Sequence, residues 1–467
     1  MLATLANGAL SLEELHRFQN EPVQLPTGLY WDAFRLYHDI LKGLTIAGRT
    51  RKLKIDGIGV DTWGVDFALL GRDGALCDNP RHYRCARNNG MVERTFNEVP
   101  KADIFAETGV QFMQINSLFQ LHAAKLECSP ALDSAATLLF MPDLLNYWLT
   151  GVKAAEVTIA STSQFYNPAR HDWARGLLQR IGVRDDILPE IIQPGTRLGH
   201  LLPHVADRSG LSDSSVFASA SHDTAAAVAA VPAEGDDWCY ISSGTWSLMG
   251  VELAHPIINE RALELNLTNE VGVGGTIRLL KNIAGLWVLQ ECKRAWALEG
   301  IDHSYEQLTA MAESAPSYTG YVDPDLFIEP GHMPERIERH CRECAQPIPV
   351  DIPHMVRAIL ESLARRYREV LESIESLTGR RINVIHIVGG GSRNRLLNQL
   401  VANATGRRVV AGPAEATAIG NVLVQAIGAG VIRDLSEARR MVRDSFPVET
   451  FHPAQKTLGV PVTTRQT

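Results

Sequence analysis

The sequence predicts an α/β protein with two large domains. The chain has 467 residues, more than one compact hydrophobic core usually holds. Its C-terminal part, residues 356–427, alternates between helical and β-type runs in the manner of an α/β domain. A polar break of sequence VPAEGDD lies at residues 231–237. We therefore expect an N-terminal domain over residues 1–232 and a C-terminal domain over residues 233–467.

The N-terminal elements follow from turn residues and apolar spacing. An Asn-Gly pair at residues 7–8 stands between apolar runs, which predicts a β-hairpin over residues 1–18. The spacing further predicts a helix at 31–47, a buried strand at 54–60, a strand at 65–70 that pairs back onto it, mostly helix over 101–151, and a short buried strand at 218–221.

The C-terminal elements are read in the same way. We expect strands at 238–242, 276–280, 382–388 and 408–411, and helices at 285–296, 356–377, 393–405 and 416–427. Three glycines at 389–391 form the loop after one of these strands.

Composition excludes several classes of protein. The net charge is −8 and no basic cluster occurs, so a nucleic-acid partner is not expected. No apolar run is long enough to cross a membrane, and the first residues lack the features of a signal peptide. Seven scattered cysteines, an odd number, suit reduced thiols in a cytoplasmic protein.

Two short motifs indicate phosphate chemistry. The run SHDT at 221–224 places an acid before an apolar, alanine-rich stretch. Asp223 is either a helix N-cap or a general base, and the residues alone leave both open. The run SSGT at 242–245 follows a predicted strand and offers backbone N–H groups and hydroxyls to phosphate oxygens. Together these motifs are typical of a small-molecule kinase.

Several motifs in order give the chain a specific resemblance. They are GIGVDTWGVDF at 57–67, MPDL at 141–144, SHDT at 221–224, SGTW at 243–246 and HIVGGG at 386–391. On these motifs the chain resembles the FGGY family of carbohydrate kinases, within the actin/hexokinase/Hsp70 superfamily. The resemblance implies two actin-like (ribonuclease H-like) α/β domains around a central cleft.

The resemblance also implies roles for individual residues. Asp223 would be the catalytic base. The residues implied to bind the sugar are Gly64, His222, Asp223, Thr224 and Asn282, and those implied to bind ATP are Thr245, Gln290 and Gly390. Each also has a plain structural reading, such as a turn glycine, a β-turn or a surface amide. No metal ligand is assigned.

The implied reaction is ATP-dependent phosphorylation of L-rhamnulose at O1, with Mg²⁺, in rhamnose catabolism. Small-molecule ketose and ATP are the expected partners, and a monomer is expected. The alternatives are a kinase for another ketose, such as fuculose or xylulose, and an inactive protein that binds sugar or ATP.

The chain departs from the family pattern at two places. Relatives begin with a strand that is followed by a first phosphate loop. We interpret residues 1–5 as the family's second strand, so the first strand and its loop are missing. We expect such a strand to precede Met1 in the natural protein, and the 467 residues alone to be poorly soluble or inactive. Cys85 also stands where the family has an aspartate, which we expect to lie near the sugar pocket.

Overall fold

The computed structural model describes residues 1–454, and their N-terminal half mixes short strands with helices. Its strands are β1 Leu2–Ala6, β2 Ala9–Glu13, β3 Pro22–Leu25, β4 Gly28–Trp31, β5 Gly57–Gly59, β6 Phe67–Leu70, β7 Thr137–Phe140, β8 Ala154–Glu156, β9 Tyr166–Asn167, β10 Asp172–Trp173, β11 Glu190–Ile192, β12 Thr196–His200 and β13 Ser215–Ala218. Its helices are α1 Ala33–Thr45, α2 Met91–Glu98, α3 Lys101–Thr108, α4 Ser117–Leu126, α5 Pro130–Ser134, α6 Met141–Thr150, α7 Val157–Ala160, α8 Arg175–Arg180, α9 Pro203–Ser209 and α10 Asp223–Ala229.

The C-terminal half is built on longer elements. Its strands are β14 Trp238–Ser243, β15 Ser247–Leu253, β16 Thr268–Val271, β17 Ile277–Ile283, β18 Val384–Val388, β19 Arg408–Ala411 and β20 Glu449–Phe451. Its helices are α11 Glu260–Glu264, α12 Trp287–Leu298, α13 Tyr305–Ser314, α14 Met333–Glu343, α15 Ile352–Thr378, α16 Arg395–Thr405, α17 Ala416–Gly428 and α18 Leu435–Ser445.

The C-terminal strands form one mixed sheet in the order β16-β17-β15-β14-β18-β19-β20. The central pair β14 and β18 is parallel, with Ser242 opposite Val388. All five residues of β18 are buried, as are five of the six in β14, as expected for strands covered on both faces. Because parallel strands end at the same edge, the loops after β14 and β18 lie side by side, which is where α/β sheets usually bind ligands.

The N-terminal strands form several small sheets, and two predictions need correction. β6 pairs with β7 and not with the strand at Gly57–Gly59, whose partner is β13. Val65 has a φ of 67° and turns the chain away after Gly64, which explains the different pairing. The strand predicted at 218–221 is found a few residues earlier in the chain, as β13 at Ser215–Ala218. After the end of β13, an isolated β-bridge joins Thr62 to His222.

A cavity of about 1040 Å³ separates β1 from β5. Residues of both strands line it, and so do Asp61 and Asp223. The cavity lies between the N-terminal hairpin and β5. The expectation about the chain's start stays a prediction.

Most other predicted elements are confirmed. The hairpin pairs Leu5 with Leu10 across the Asn-Gly turn, and α1, α12, α15, α16 and α17 match the predicted helices within a few residues. The largest apolar core runs through both halves, from Phe67 to Phe451, and the boundary at 232/233 stays a prediction. Within residues 1–454, no helix combines the length and apolar character needed to cross a bilayer.

Candidate active site

Asp223, the predicted catalytic base, is the first residue of α10. His222 occupies the N-cap position, and no side chain caps this helix end. The Asp223 side chain is 44% exposed, and it accepts a hydrogen bond from the Thr224 hydroxyl at 3.1 Å. The N-cap reading is therefore wrong, and the carboxylate is free to meet a ligand.

We call residues 221–223 the catalytic segment, after the predicted role of Asp223. Hydrogen bonds hold its backbone on both sides. The Glu156 carboxylate accepts from the Ser221 N–H at 3.0 Å, and the Thr158 hydroxyl accepts from the His222 N–H at 3.2 Å. The Asp223 N–H donates to the Thr62 carbonyl at 2.9 Å. These bonds fix the direction in which α10 begins, and hence the position of its first carboxylate.

Sequence reasoning missed Glu156. It is fully buried, and burial raises its pKa, although the Thr158 hydroxyl and the backbone N–H groups of Thr158 and Ser221 stabilise the charged form. The Asp143 carboxylate in turn accepts from the Glu156 N–H at 3.1 Å. A single acid inside the apolar run at 154–160 is the signal that could have identified it.

Gly64 faces the same space as the catalytic segment. A Cβ at Gly64 would lie 3.3 Å from His222 Nε2 and 3.3 Å from Thr162 Oγ1. The absence of a side chain therefore leaves room in front of His222, as the implied sugar-binding role requires.

Aromatic side chains around Asp66 form one wall beside Gly64. The indole N–H groups of Trp31 and Trp63 donate to Asp66 Oδ2 at 2.6 and 2.9 Å, and the two ring systems lie 4.2 Å apart. The Tyr83 N–H reaches the same oxygen at 3.3 Å, and the Gln120 amide reaches the other at 2.9 Å. Burial raises the pKa of Asp66 to about 6 despite these four donors. The hydrogen bond to Asp66 and the packing on Trp31 therefore hold the Trp63 ring in place beside Gly64.

Asn282 enters the cleft from the C-terminal half. It lies on β17, and its backbone N–H donates to the Gln111 side-chain carbonyl at 2.9 Å. Gln111 is a buried amide of the N-terminal half that was not among the predicted site residues. Asn282 thus faces the half of the protein that contains Gly64 and His222.

The two predicted phosphate and nucleotide loops are in contact. Thr245 is exposed in the turn between β14 and β15, and Gly390 is exposed after β18. A Cβ on Gly389 would lie 2.9 Å from the Ser243 carbonyl oxygen, and one on Gly391 would overlap the Ser243 side chain. Gly389 also has a φ of 84°, which favours glycine. By contrast, nothing lies within 4 Å of a Cβ on Gly390.

Gln290 is connected to this edge through helix α12. The Trp287 N–H donates to the Thr245 carbonyl at 3.0 Å, and the Gln290 N–H donates to the Leu286 carbonyl at 2.9 Å. These two backbone hydrogen bonds connect Gln290 to the Thr245 loop, and the Gln290 side chain takes no part in them.

The catalytic segment and the nucleotide loops also meet. The Gly389 N–H donates to the Pro413 carbonyl at 3.2 Å, and the Thr417 hydroxyl donates to the Asp223 carbonyl at 3.3 Å. Pro413 precedes α17 and Thr417 lies in its first turn. One short stretch of chain therefore links the glycine loop to Asp223, the predicted catalytic base.

A second acid, Asp61 of the motif at 57–67, lines the cavity with Asp223. Burial, with a smaller contribution from the Asp223 charge, raises the pKa of Asp61 to about 7. The Asn421 amide donates to Asp61 Oδ2 at 2.5 Å and partly opposes the shift. In residues 1–454 no group of three or more His, Cys, Asp or Glu side chains is arranged to hold a metal ion.

The expectation that Cys85 lies near the sugar pocket stays a prediction. Its thiol is buried, 4.0 Å from the Arg81 guanidinium, and a Cβ on Gly28 would lie 2.9 Å from its sulfur. Gly28 belongs to the β3–β4 hairpin and Arg81 lies outside it, and neither is a predicted sugar-binding residue.

Comparison with known proteins agrees with this architecture. Sequence models of the N-terminal and C-terminal domains of the FGGY family of carbohydrate kinases match residues 28–230 and 239–429. A rhamnulokinase of Bacteroides thetaiotaomicron is 44% identical over 97% of this chain and 93% of its own length. A rhamnulokinase of Enterococcus faecalis is 40% identical over 96% and 90%.

Solved structures share the fold. The crystal structure of ligand-bound xylulose kinase from Lactobacillus acidophilus matches with a TM-score of 0.75 at 16% identity, covering 93% of this chain and 87% of that one. This likeness confirms the predicted two-domain α/β kinase fold. The domain matches and the two relatives together show that the chain belongs to the FGGY family of carbohydrate kinases.

Proposed function

We propose that this protein transfers the γ-phosphoryl group of ATP to O1 of L-rhamnulose, giving L-rhamnulose 1-phosphate in rhamnose catabolism. The observation that carries the proposal is the free Asp223 carboxylate at the start of α10, between the Gly64 pocket and the nucleotide loops. Relatives at 44% and 40% identity bear the name rhamnulokinase, which supports the choice of sugar.

The residues divide the work as follows. Asp223 accepts the proton of the sugar O1 hydroxyl as that oxygen attacks phosphorus, since a general base must be ionised and within hydrogen-bond reach. Gly64, His222, Thr224 and Asn282 orient the ketose. Thr245 and the backbone N–H groups beside it receive phosphate oxygens, while Gly390 and Gln290 meet the nucleoside.

Mg²⁺ would be held by the ATP phosphates, and it would offset their charge. The open space next to Gly390 and the exposed residue Thr245 suit the binding of ATP. We further propose a cytoplasmic location, because all seven cysteines are free thiols, which suits a reducing compartment.

A coupled assay of ADP release tests the function. L-rhamnulose, L-fuculose and D-xylulose are compared by kcat/KM, with phosphorus NMR to identify the product. We expect the highest value with L-rhamnulose and a phosphate ester at O1. A higher value with either other ketose would assign a different substrate, and ATP binding without product would indicate an inactive binding protein.

A further inference from the structure

A buried ion pair of the C-terminal sheet lies directly behind the catalytic segment. Glu270 on β16 and Arg278 on β17 are opposed across an antiparallel strand pair, and Arg278 Nη2 lies 3.1 Å from Glu270 Oε2. The Arg278 side chain is 0% exposed and that of Glu270 5% exposed. A buried ion pair adds little net stability, because desolvation offsets the Coulomb attraction. Its placement is therefore better explained by what it holds.

The pair holds the His222 ring. Arg278 Nη2 lies 3.1 Å from His222 Nδ1, and Glu270 Oε2 lies 3.4 Å from the same nitrogen. A guanidinium has only hydrogen-bond donors, so Nδ1 must be the acceptor in this contact. The ring proton then resides on Nε2. An Nδ1–H would point at the guanidinium and lose that hydrogen bond.

The protonated nitrogen faces the reaction space. His222 Nε2 lies 3.4 Å from Asp223 Oδ1 and borders the room left open above Gly64. An Nε2–H in this place can donate to a sugar oxygen or to the catalytic carboxylate. The other tautomer would present a lone pair, which repels the carboxylate and can only accept a hydrogen bond from a sugar hydroxyl.

We propose that Arg278 and Glu270 are positioning residues, which fix His222 as the Nε2–H tautomer and aim it at the sugar and Asp223. Arg278 makes the deciding hydrogen bond, and Glu270 holds the guanidinium in place and balances its charge. The sequence carries a weak signal, since Arg278 lies in a buried strand that is apolar at Ile277, Leu279 and Leu280 but also contains Lys281. The proposal deepens the proposed function and rests on it.

The tautomer is measured on the free protein by long-range ¹H–¹⁵N NMR of the histidine rings, with His222→Gln to assign the signals. We expect an unprotonated Nδ1 in the wild type. In Arg278→Met the Glu270 carboxylate becomes the nearest partner, and we expect Nδ1 to become protonated. This readout needs no kinase activity, so it is decided separately from the proposed function.

Kinetics give the second readout. Arg278→Met should lower kcat/KM for the ketose by about 10–100-fold, the range found when a partner that orients a functional histidine is removed. KM for ATP should stay unchanged. Arg278→Lys keeps a donor and should retain the wild-type ring signals and most of the activity. Arg407→Met is the control, since Arg407 forms a more exposed ion pair with Glu375 at the same distance of 3.1 Å outside the site.

Three results would overturn the proposal. One is a wild-type His222 protonated at Nδ1. The second is Arg278→Met with unchanged ring signals and unchanged kcat/KM. The third applies if Arg278→Met does not fold. In that case the result against the proposal is a folded Arg278→Lys variant whose His222 is protonated at Nδ1. If the wild type does not phosphorylate L-rhamnulose but shows the expected tautomer, the choice of sugar fails and the assignment of the pair stands.

Discussion

Single carboxylates in this protein differ in what surrounds them, and that difference indicates their use. Glu156 and Asp66 are buried and accept several hydrogen bonds, so they hold other groups in place. Asp223 is 44% exposed and accepts one side-chain hydrogen bond, from its neighbour Thr224. A carboxylate that orders no other part of the protein is available to a substrate.

Asp223→Asn should lower kcat by about 10²–10⁴-fold, the usual contribution of a general base. The amide is nearly isosteric, so Kd values for ketose and ATP should remain close to those of the wild type. Steady-state kinetics and calorimetric titration measure the two effects. Near-normal turnover in this variant would contradict the assigned mechanism.

Asp61 should make the protein less stable as the pH rises. Its pKa is raised to about 7 from an ordinary value of 3.8, so between these values the folded state binds more protons than the unfolded state. Stability contributed by the protonated form is then lost from about pH 4 up to pH 7.

Asp61→Asn removes this titration and keeps an oxygen to accept from Asn421. The Tm of the variant relative to the wild type should therefore increase with pH over this window, by a few degrees, since 1 kcal/mol corresponds to about 2–4 °C in a large domain. Thermal melts from pH 4 to pH 8 measure it. A difference in Tm that does not vary with pH would show that Asp61 does not titrate in this range.

At the scale of elements, the sequence predicts what local pattern encodes. The Asn-Gly hairpin and helices α15 to α17 follow from turn chemistry and apolar spacing, and they were found where expected. The pairing of β6 with β7 was missed because it depends on Val65 turning the chain and on residues about seventy positions further along.

The same distinction holds within the site. The motifs gave Asp223, Gly64 and the two loops, because each of these features lies within its own short, characteristic run of residues. The supports of the catalytic segment, such as Glu156 and Arg278, come from distant strands. Only the fold brings them together, although Glu156 was visible as a single acid among apolar residues.

The loop after β18 offers a test in which neighbouring glycines differ. Gly390→Ala should leave Tm unchanged, because its Cβ meets nothing within 4 Å, and should raise KM for ATP if the nucleoside presses on this residue. Gly391→Ala should lower Tm, because its Cβ would overlap Ser243. Melting curves and ATP saturation separate the two effects. An unchanged KM for ATP in Gly390→Ala would place the nucleotide elsewhere.

At the scale of the whole molecule, the reaction requires both halves to act on the same ligands. Arg84 of the N-terminal half donates to the Ile328 carbonyl at 2.6 Å and lies 3.8 Å above the Trp287 ring of the C-terminal half. Trp287 is also bonded to the Thr245 loop. Arg84 is therefore a contact across the cleft that reports on its closure.

Arg84→Ala should weaken closure and admit water to the phosphoryl group. We expect a higher KM for the ketose and a larger ratio of ATP hydrolysis to sugar phosphorylation, because a closed site excludes water as a competing acceptor. Parallel assays of ADP and sugar phosphate measure the ratio. Arg81→Ala is the control, since Arg81 stacks on Tyr30, 4.1 Å away within the same half. Equal ratios in the two variants would mean that Arg84 does not couple the halves, and that closure depends on other contacts, such as the hydrogen bond between Gln111 and Asn282.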